Sequence, residues 1–287
     1  MEWLEKMNGA LDYIEAHLTE EINPAKLAGV ACCSSFNFQR MFSFMADVTL
    51  ADYIRRRRLT RAAMELLSTR EKVIDIALRY GYGSPVSFAR AFRAVHGINP
   101  GDVRKPGACI KSYPRITFTI TIKGVEAMNY RIENFSEMRL VGYRERMNME
   151  NGENFRRIPQ FWNECYSDDR GKTLMQYNDD KKLYCLGVCA NDSDREFDYY
   201  IATGSSKKIS VDMEELIVPA ATYAVFECVG TMPDAMQAMW KRIFSEWFPT
   251  AKYEPANHAP QIEWYSEGDM QRDSYRSEIW IPILKKD

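Results

Sequence analysis

The chain is predicted to be multidomain. An all-α N-terminal domain carries two helix-turn-helix units joined by a long helix, and an α+β domain of two pseudo-twofold βαββ repeats follows. Three observations predict this. Between Lys72 and Lys105, two short amphipathic helices meet at a glycine-bearing turn. The basic residues gather in one segment rather than along the whole chain. After Pro106-Gly107 the apolar residues change from a helical period to strict alternation.

In the N-terminal half, Met7, Leu11, Ile14 and Leu18 fall on one face of a first helix. Asn23-Pro24 caps a short helix over Ala25–Ala31, with Leu27 and Val30 inward and Ala28 permitting close approach. Ser34 or Ser35 then caps a third helix that buries Phe38, Met41, Phe42 and Met45. Its other face carries Phe36, Asn37, Gln39, Arg40 and Ser43. Leu50–Ser68 keeps helical periodicity through Leu50, Tyr53, Ile54, Ala62, Ala63, Leu66 and Leu67. At ~1.5 Å per residue it makes a rod of roughly 28 Å, close to the ~34 Å turn of B-DNA. Arg55, Arg57 and Arg58 on this rod are candidates for phosphate contact. Four consecutive arginines sweep around a helix, so one or two are expected in packing or in salt bridges to Asp52 or Glu65. Farther on, Val73, Ile76, Ala77 and Tyr80 form an apolar face, and Gly81 can end that helix in the left-handed conformation. Ser84 caps the next helix and Pro85 starts it. Phe88, Phe92 and Val95 point inward, while Val86, Ser87, Arg90 and Arg93 point out.

The net charge of −2 conceals an uneven distribution. Pro24–Pro106 holds fourteen cations and six acids, a net +8, and the remainder is −10. One part is therefore suited to a polyanion and the other is not. No apolar run approaches the ~20 residues that span a bilayer, and the opening MEWLEKMNGAL lacks the order of a secretion signal. No membrane association is expected. The seven cysteines show no metal-ligand spacing, and reduced thiols in the cytoplasm are the expectation. Neither a metal nor a cofactor is predicted.

The stretches SSFNFQRMF, ADYIRRRRLTRAAMELL, VIDIALRYGYGSPVSFARAF and HGINPGDVRK resemble the bipartite DNA-binding domain of AraC/XylS-family transcription regulators. The resemblance covers about residues 5–106. It implies a seven-helix fold, binding to two adjacent major-groove segments of double-stranded DNA, and RNA polymerase as a further partner of an activator. Phe36, Asn37, Gln39 and Arg40 match the family's first recognition helix; Pro85, Val86, Ser87 and Arg90 match the second. Gln39 has chemistry suited to adenine, and Arg40 or Arg90 to guanine or phosphate. Cys32 departs from the pattern, standing in a turn where glycine is often found. Pro85 and Val86 offer no side-chain donors, so the second helix is expected to lean on phosphate contact and shape.

In the acidic half, Ile116, Phe118, Ile120 and Ile122 alternate with threonines, as in a half-buried strand. Tyr113–Val125 and Met128–Phe135 are expected to pair as a hairpin. Domain limits are set at 1–106, a connecting segment and first strand at 107–126, and 127–287. Strand material at Met138–Tyr143 precedes a helix over Phe155–Tyr166 and strands at Leu183–Cys189 and Phe197–Thr203. A second copy has a strand at Ala221–Val229, a helix through Met236–Trp247, and strands at Gln261–Tyr265 and Tyr275–Ile283. Two such halves would leave a groove suited to a small molecule.

This arrangement, ending in SEIWIPIL, resembles the GyrI-like effector-binding domain found in Rob-like and other drug-sensing regulators, over about residues 127–287. The resemblance implies a pocket with a buried acid for organic cations or lipophilic drugs, and the matching acid is placed at Glu278. On the residues themselves, Glu278 and Trp280 share a strand face, setting a carboxylate beside an indole, a combination that attracts a delocalised cation. Trp162, Tyr199 and Trp264 complete the candidate cage; Glu263 and Tyr265, on the alternate face, rank below them. No nucleophile elbow, HExxH, phosphate loop or dinucleotide fingerprint occurs, and no catalytic residue is expected. The alternatives are a GyrI-like hydrolase pairing Tyr199 with Glu278, and a ligand-free DNA-binding architectural protein.

Overall fold

A computed structural model describes residues 2–119, 127–149, 152–193, 195–209 and 212–286. The chain divides into two compact units. One comprises Glu2–Cys32 and Ala46–Thr119; the other comprises Cys33–Met45 and the chain from Ile120 onward.

The first unit is helical. Its elements are α1 (Glu2–Ala16), α2 (Pro24–Ala31), α4 (Leu50–Ser68), α5 (Val73–Arg79), α6 (Pro85–His96) and a single 3-10 turn at Pro100–Asp102. α3 (Ser35–Ala46) is sorted almost wholly with the second unit. Local chemistry sets the helix ends. The Asn23 side chain accepts from the Ala25 amide at 2.8 Å and starts α2. Cys32 closes α2 in the left-handed region, at φ 54°, which explains why glycine suits this turn. Ser84 Oγ accepts from the Ser87 amide at 3.1 Å at the start of α6. Leu59, Ala62, Ala63 and Leu66 of α4 pack with Ile76, Ala77, Tyr80, Phe88, Phe92 and Val95 into one core.

The arginine run on α4 is mostly structural. Arg57 donates through Nε and Nη2 to the Glu15 carboxylate at 2.8 and 2.7 Å, and Tyr53 donates to the same group at 2.8 Å. Arg58 donates to the Leu18 and Glu20 carbonyls at 2.8 and 2.5 Å. These two side chains, expected at phosphates, are instead spent holding α4 to α1 and the chain that follows it. Arg55 and Arg56 pair with Asp52, and Arg55 stays exposed.

The second unit holds β1 (Tyr130–Phe135), β2 (Met138–Asn148), α7 (Glu153–Ser167), α8 (Arg170–Tyr177), β3 (Cys185–Ala190), β4 (Glu196–Gly204) and β5 (Glu214–Val218). β6 (Ala221–Val229), α9 (Asp234–Arg242, continued by a π turn at Ile243–Trp247), β7 (Tyr253–Pro255), β8 (Gln261–Tyr265) and β9 (Arg276–Lys285) complete it. The strands pair antiparallel in the order β1-β6-β9-β8-β3-β4-β2-β5, with β7 on β9. The pseudo-twofold lies between β8 and β3: β8-β9-β6 on one side mirrors β3-β4-β2 on the other. β1 and β5 each precede one repeat and pair with the far strand of the other. β1 pairs with β6. Residues 111–119 form no strand, and the remainder of the expected Tyr113–Val125 hairpin arm lies outside the described residues.

Candidate functional site

α6 keeps its expected outward face. Val86 is 78% exposed, Arg90 and Arg93 are exposed, and Ser87 is half-buried. Arg90 and Arg93 line an open cleft with Ala89, Ala94 and Asn99. A helix with cations on its exposed face and aromatics beneath is what major-groove reading requires.

α3 differs. None of its residues is exposed, and Phe36 and Asn37 are buried. Phe36 packs on Phe197 of β4 at 4.9 Å between centroids. Asn37 donates to Asn257 Oδ1 at 2.8 Å and accepts from Gln261 at 2.6 Å. Gln39 is half-buried. The four residues expected to meet DNA on this helix therefore lie, in this structure, within the sheet unit. Burial of Phe36 and Asn37, and the contacts Arg40 makes in the sheet unit, leave them no free path to a base edge.

The centre of this packing is Glu263 on β8. Its Oε1 accepts from Arg40 Nη2 at 3.1 Å and from Trp240 Nε1 at 2.9 Å, and its Oε2 accepts from the Tyr265 hydroxyl at 3.1 Å. The Arg40 guanidinium lies 4.3 Å from the Trp240 ring centroid and also approaches the Phe36 and Phe44 rings, at 5.8 and 5.6 Å. Arg40 Nη1 donates to Cys189 Sγ at 3.2 Å. Nearby, Trp162 Nε1 donates to the Tyr199 hydroxyl at 2.9 Å and packs edge-on to Tyr265. Burial, reinforced by the Glu263 charge, pushes both the Tyr199 and Tyr265 hydroxyls well above their ordinary range. Burial likewise pushes the Cys189 thiol up to about 11, so at neutral pH these three groups carry no charge and Glu263 is the ionic partner of Arg40. Burial works against the Arg40 cation, but the neighbouring Cys189 and Glu263 hold its pKa above the ordinary value.

Gly187 on β3 makes this arrangement possible. A side chain there would collide with the Tyr199 hydroxyl, and its Cβ would stand 3.4 Å from Glu263 Oε2. Gly187→Ala is expected to displace Tyr199 and destabilise the protein by about 1–3 kcal/mol, read by urea denaturation; an unchanged midpoint would contradict the contact.

The expected acid occupies another place. Glu278 pairs across the sheet with Trp264, on the face opposite Glu263. Both its oxygens accept from Arg131, at 2.7 and 3.1 Å, and Trp280 Nε1 donates to it at 2.7 Å. Trp280 is 2% exposed and stacks on Phe135 at 4.6 Å, in a core that also takes Trp264. Glu278, Trp280 and Trp264 thus belong to the other face. Tyr199 and Trp162 stand on the Glu263 face, so the Tyr199–Glu278 pairing of the hydrolase alternative is not formed. Trp240 and Tyr265 gather with Glu263 on that face, and the sequence alone ranked them low or passed them over. No group of three or more histidine, cysteine or acidic side chains among the described residues is placed to hold a metal ion, and no described helix is long and apolar enough to cross a membrane.

A helical module with an outward recognition helix, followed by a twofold sheet whose Glu263 is ringed by aromatic side chains, has the parts of an effector-responsive DNA-binding protein. Residues 131–283 match the model of the integron-associated effector binding protein family, and residues 27–106 match a helix-turn-helix domain. The chain is 41% identical over 90 residues to the HTH-type transcriptional activator AarP of Providencia stuartii, spanning 31% of this chain and 67% of that one. It is 39% identical over 92 residues to the regulatory protein SoxS of Escherichia coli K12, spanning 32% and 86%. The solved structure of SAV2435 bound to tetraphenylphosphonium superposes with a TM-score of 0.49 at 27% identity, covering 55% of this chain and 94% of that one. The chain belongs to the integron-associated effector-binding family, as an AraC-type DNA-binding transcription regulator with a C-terminal GyrI-like effector-binding domain.

Proposed function

We propose that this protein is a cytoplasmic transcription activator, without catalytic activity, whose response is set by a lipophilic organic cation bound at Glu263. The observation that carries the reading is the Glu263 carboxylate, which receives a guanidinium and an indole N–H in a groove walled by Trp240, Tyr265, Trp162 and Tyr199. A carboxylate with little access to water beside π faces favours a delocalised cation by charge and by cation–π attraction, and such a cation loses little hydration on entry. Activation is supported by the likeness to AarP over the DNA-reading region, and an activator of this class acts by engaging RNA polymerase.

The test is transcription in vitro with RNA polymerase from a promoter bearing an operator selected from a random duplex pool. Tetraphenylphosphonium is expected to raise transcript yield several-fold, and the neutral triphenylphosphine oxide to leave it unchanged. Glu263→Gln is expected to bind the operator but not to respond to the cation. Yield indifferent to the cation, or a Glu263→Gln protein that responds as the unchanged one does, would overturn the reading.

A further inference from the structure

The groove is not empty. Phe36, Arg40 and Phe44 recur every four residues along one face of α3, so the helix offers a guanidinium flanked by two phenyl rings. That triplet has the chemistry of an aryl cation, and it fills the groove as one would. The charge sits on Glu263 and over Trp240. Phe44 stacks on Trp240 and on Phe244, at 5.5 and 6.2 Å between centroids, and Phe36 packs tilted against Phe197. Yet the seat is imperfect: Arg40 Nε is buried with no acceptor among the described residues. A buried donor left unsatisfied weakens the closed arrangement and makes the helix displaceable.

We infer that α3 serves as an internal surrogate for the effector, so that the first recognition helix either fills the groove or reads DNA, and a lipophilic cation frees it by taking its place on Glu263. This rests on the cation-site reading above and adds a competitor to it. The residues that would read bases, Phe36, Asn37 and Arg40, are the same ones the groove holds, so one helix cannot satisfy both at once. Linkage then requires reciprocity: whatever factor the cation adds to operator affinity, the operator adds to cation affinity.

Competition makes a prediction that a merely structural role for Arg40 would not. Where the site is closed most of the time, apparent affinity falls by the fraction that is open. Arg40→Met keeps the length of the side chain and removes its charge, so it should bind tetraphenylphosphonium about tenfold more tightly than the unchanged full-length protein, by calorimetry. In the unchanged protein, saturating tetraphenylphosphonium should accelerate amide hydrogen exchange across Ser35–Ala46, while triphenylphosphine oxide should not. Binding of the cation with α3 amides as protected as before, or an Arg40→Met affinity equal to or weaker than the unchanged one, would overturn the surrogate helix while leaving the cation site standing. Absence of any binding to either protein would overturn both.

Discussion

Arg57→Ala is expected to lower the stability of the protein by about 3–5 kcal/mol, the scale of removing one partner from a largely buried ion pair. Glu15 would lose the bidentate guanidinium that now meets both its oxygens, at 2.8 and 2.7 Å. Tyr53 would be left as its remaining donor partner among these contacts, at 2.8 Å. Urea denaturation followed by circular dichroism measures the loss; a change below about 1 kcal/mol would show an exposed pair of the ordinary surface kind. The pair also has a pH signature. Burial pushes the Glu15 carboxyl up, but the Arg57 and Tyr53 hydrogen bonds and the Arg57 charge outweigh it and hold the folded value below the ordinary 4.5. A depressed acid contributes stability that is present above its unfolded pKa and is lost as pH falls through the folded one. The unchanged protein should therefore lose stability below about pH 4.5, and this component of the acid limb should be absent in Arg57→Ala.

Arg90→Ala is expected to weaken operator binding by about 1–3 kcal/mol, roughly five- to 150-fold, with the fold intact. Arg90 is exposed on α6, one turn beyond Val86, whose 78% exposure shows how far this face projects. Electrophoretic mobility shift over a range of salt separates the two modes of contact. A phosphate contact flattens the log–log salt slope by about one, whereas a guanine contact leaves the slope and relaxes sequence preference. Operator affinity unaltered by both Arg90→Ala and Arg93→Ala would contradict α6 as the reading element.

How legible these features were depends on the range of the interactions that set them. Asn23, Ser84, Gly81 and Gly97 mark helix ends through contacts a few residues away, so α2, α5 and α6 could be read directly from the chain. Alternation alone was a poorer guide: it holds from Ile116 to Phe118, yet residues 111–119 form no strand. Arg57 could not be placed, because its partner Glu15 lies 42 residues earlier and only the fold brings them together. The place of Glu278 could not be read from its strand for a subtler cause. Alternation along β8 and β9 sorts Glu263 from Trp264 and Glu278 from Ile279, but it does not say which face borders the groove. Gly187 was the available hint: a glycine inside a strand of apolar residues marks a close approach, here that of the Tyr199 hydroxyl beside Glu263. For α3, Phe36 on a face otherwise made of Asn37, Gln39, Arg40 and Ser43 was more aromatic than base reading needs, and that excess was the trace of its seat against the sheet.

On the proposed reading, Glu263 rather than Glu278 meets the effector. Calorimetric titration of tetraphenylphosphonium into the unchanged protein, Glu263→Gln and Glu278→Gln decides it. Loss of a charge-assisted contact, about 1.5–3 kcal/mol, should weaken Glu263→Gln at least tenfold, while Glu278→Gln, whose acid is engaged by Arg131 on the opposite face, should bind as the unchanged protein does. Full affinity in Glu263→Gln with loss in Glu278→Gln would contradict it.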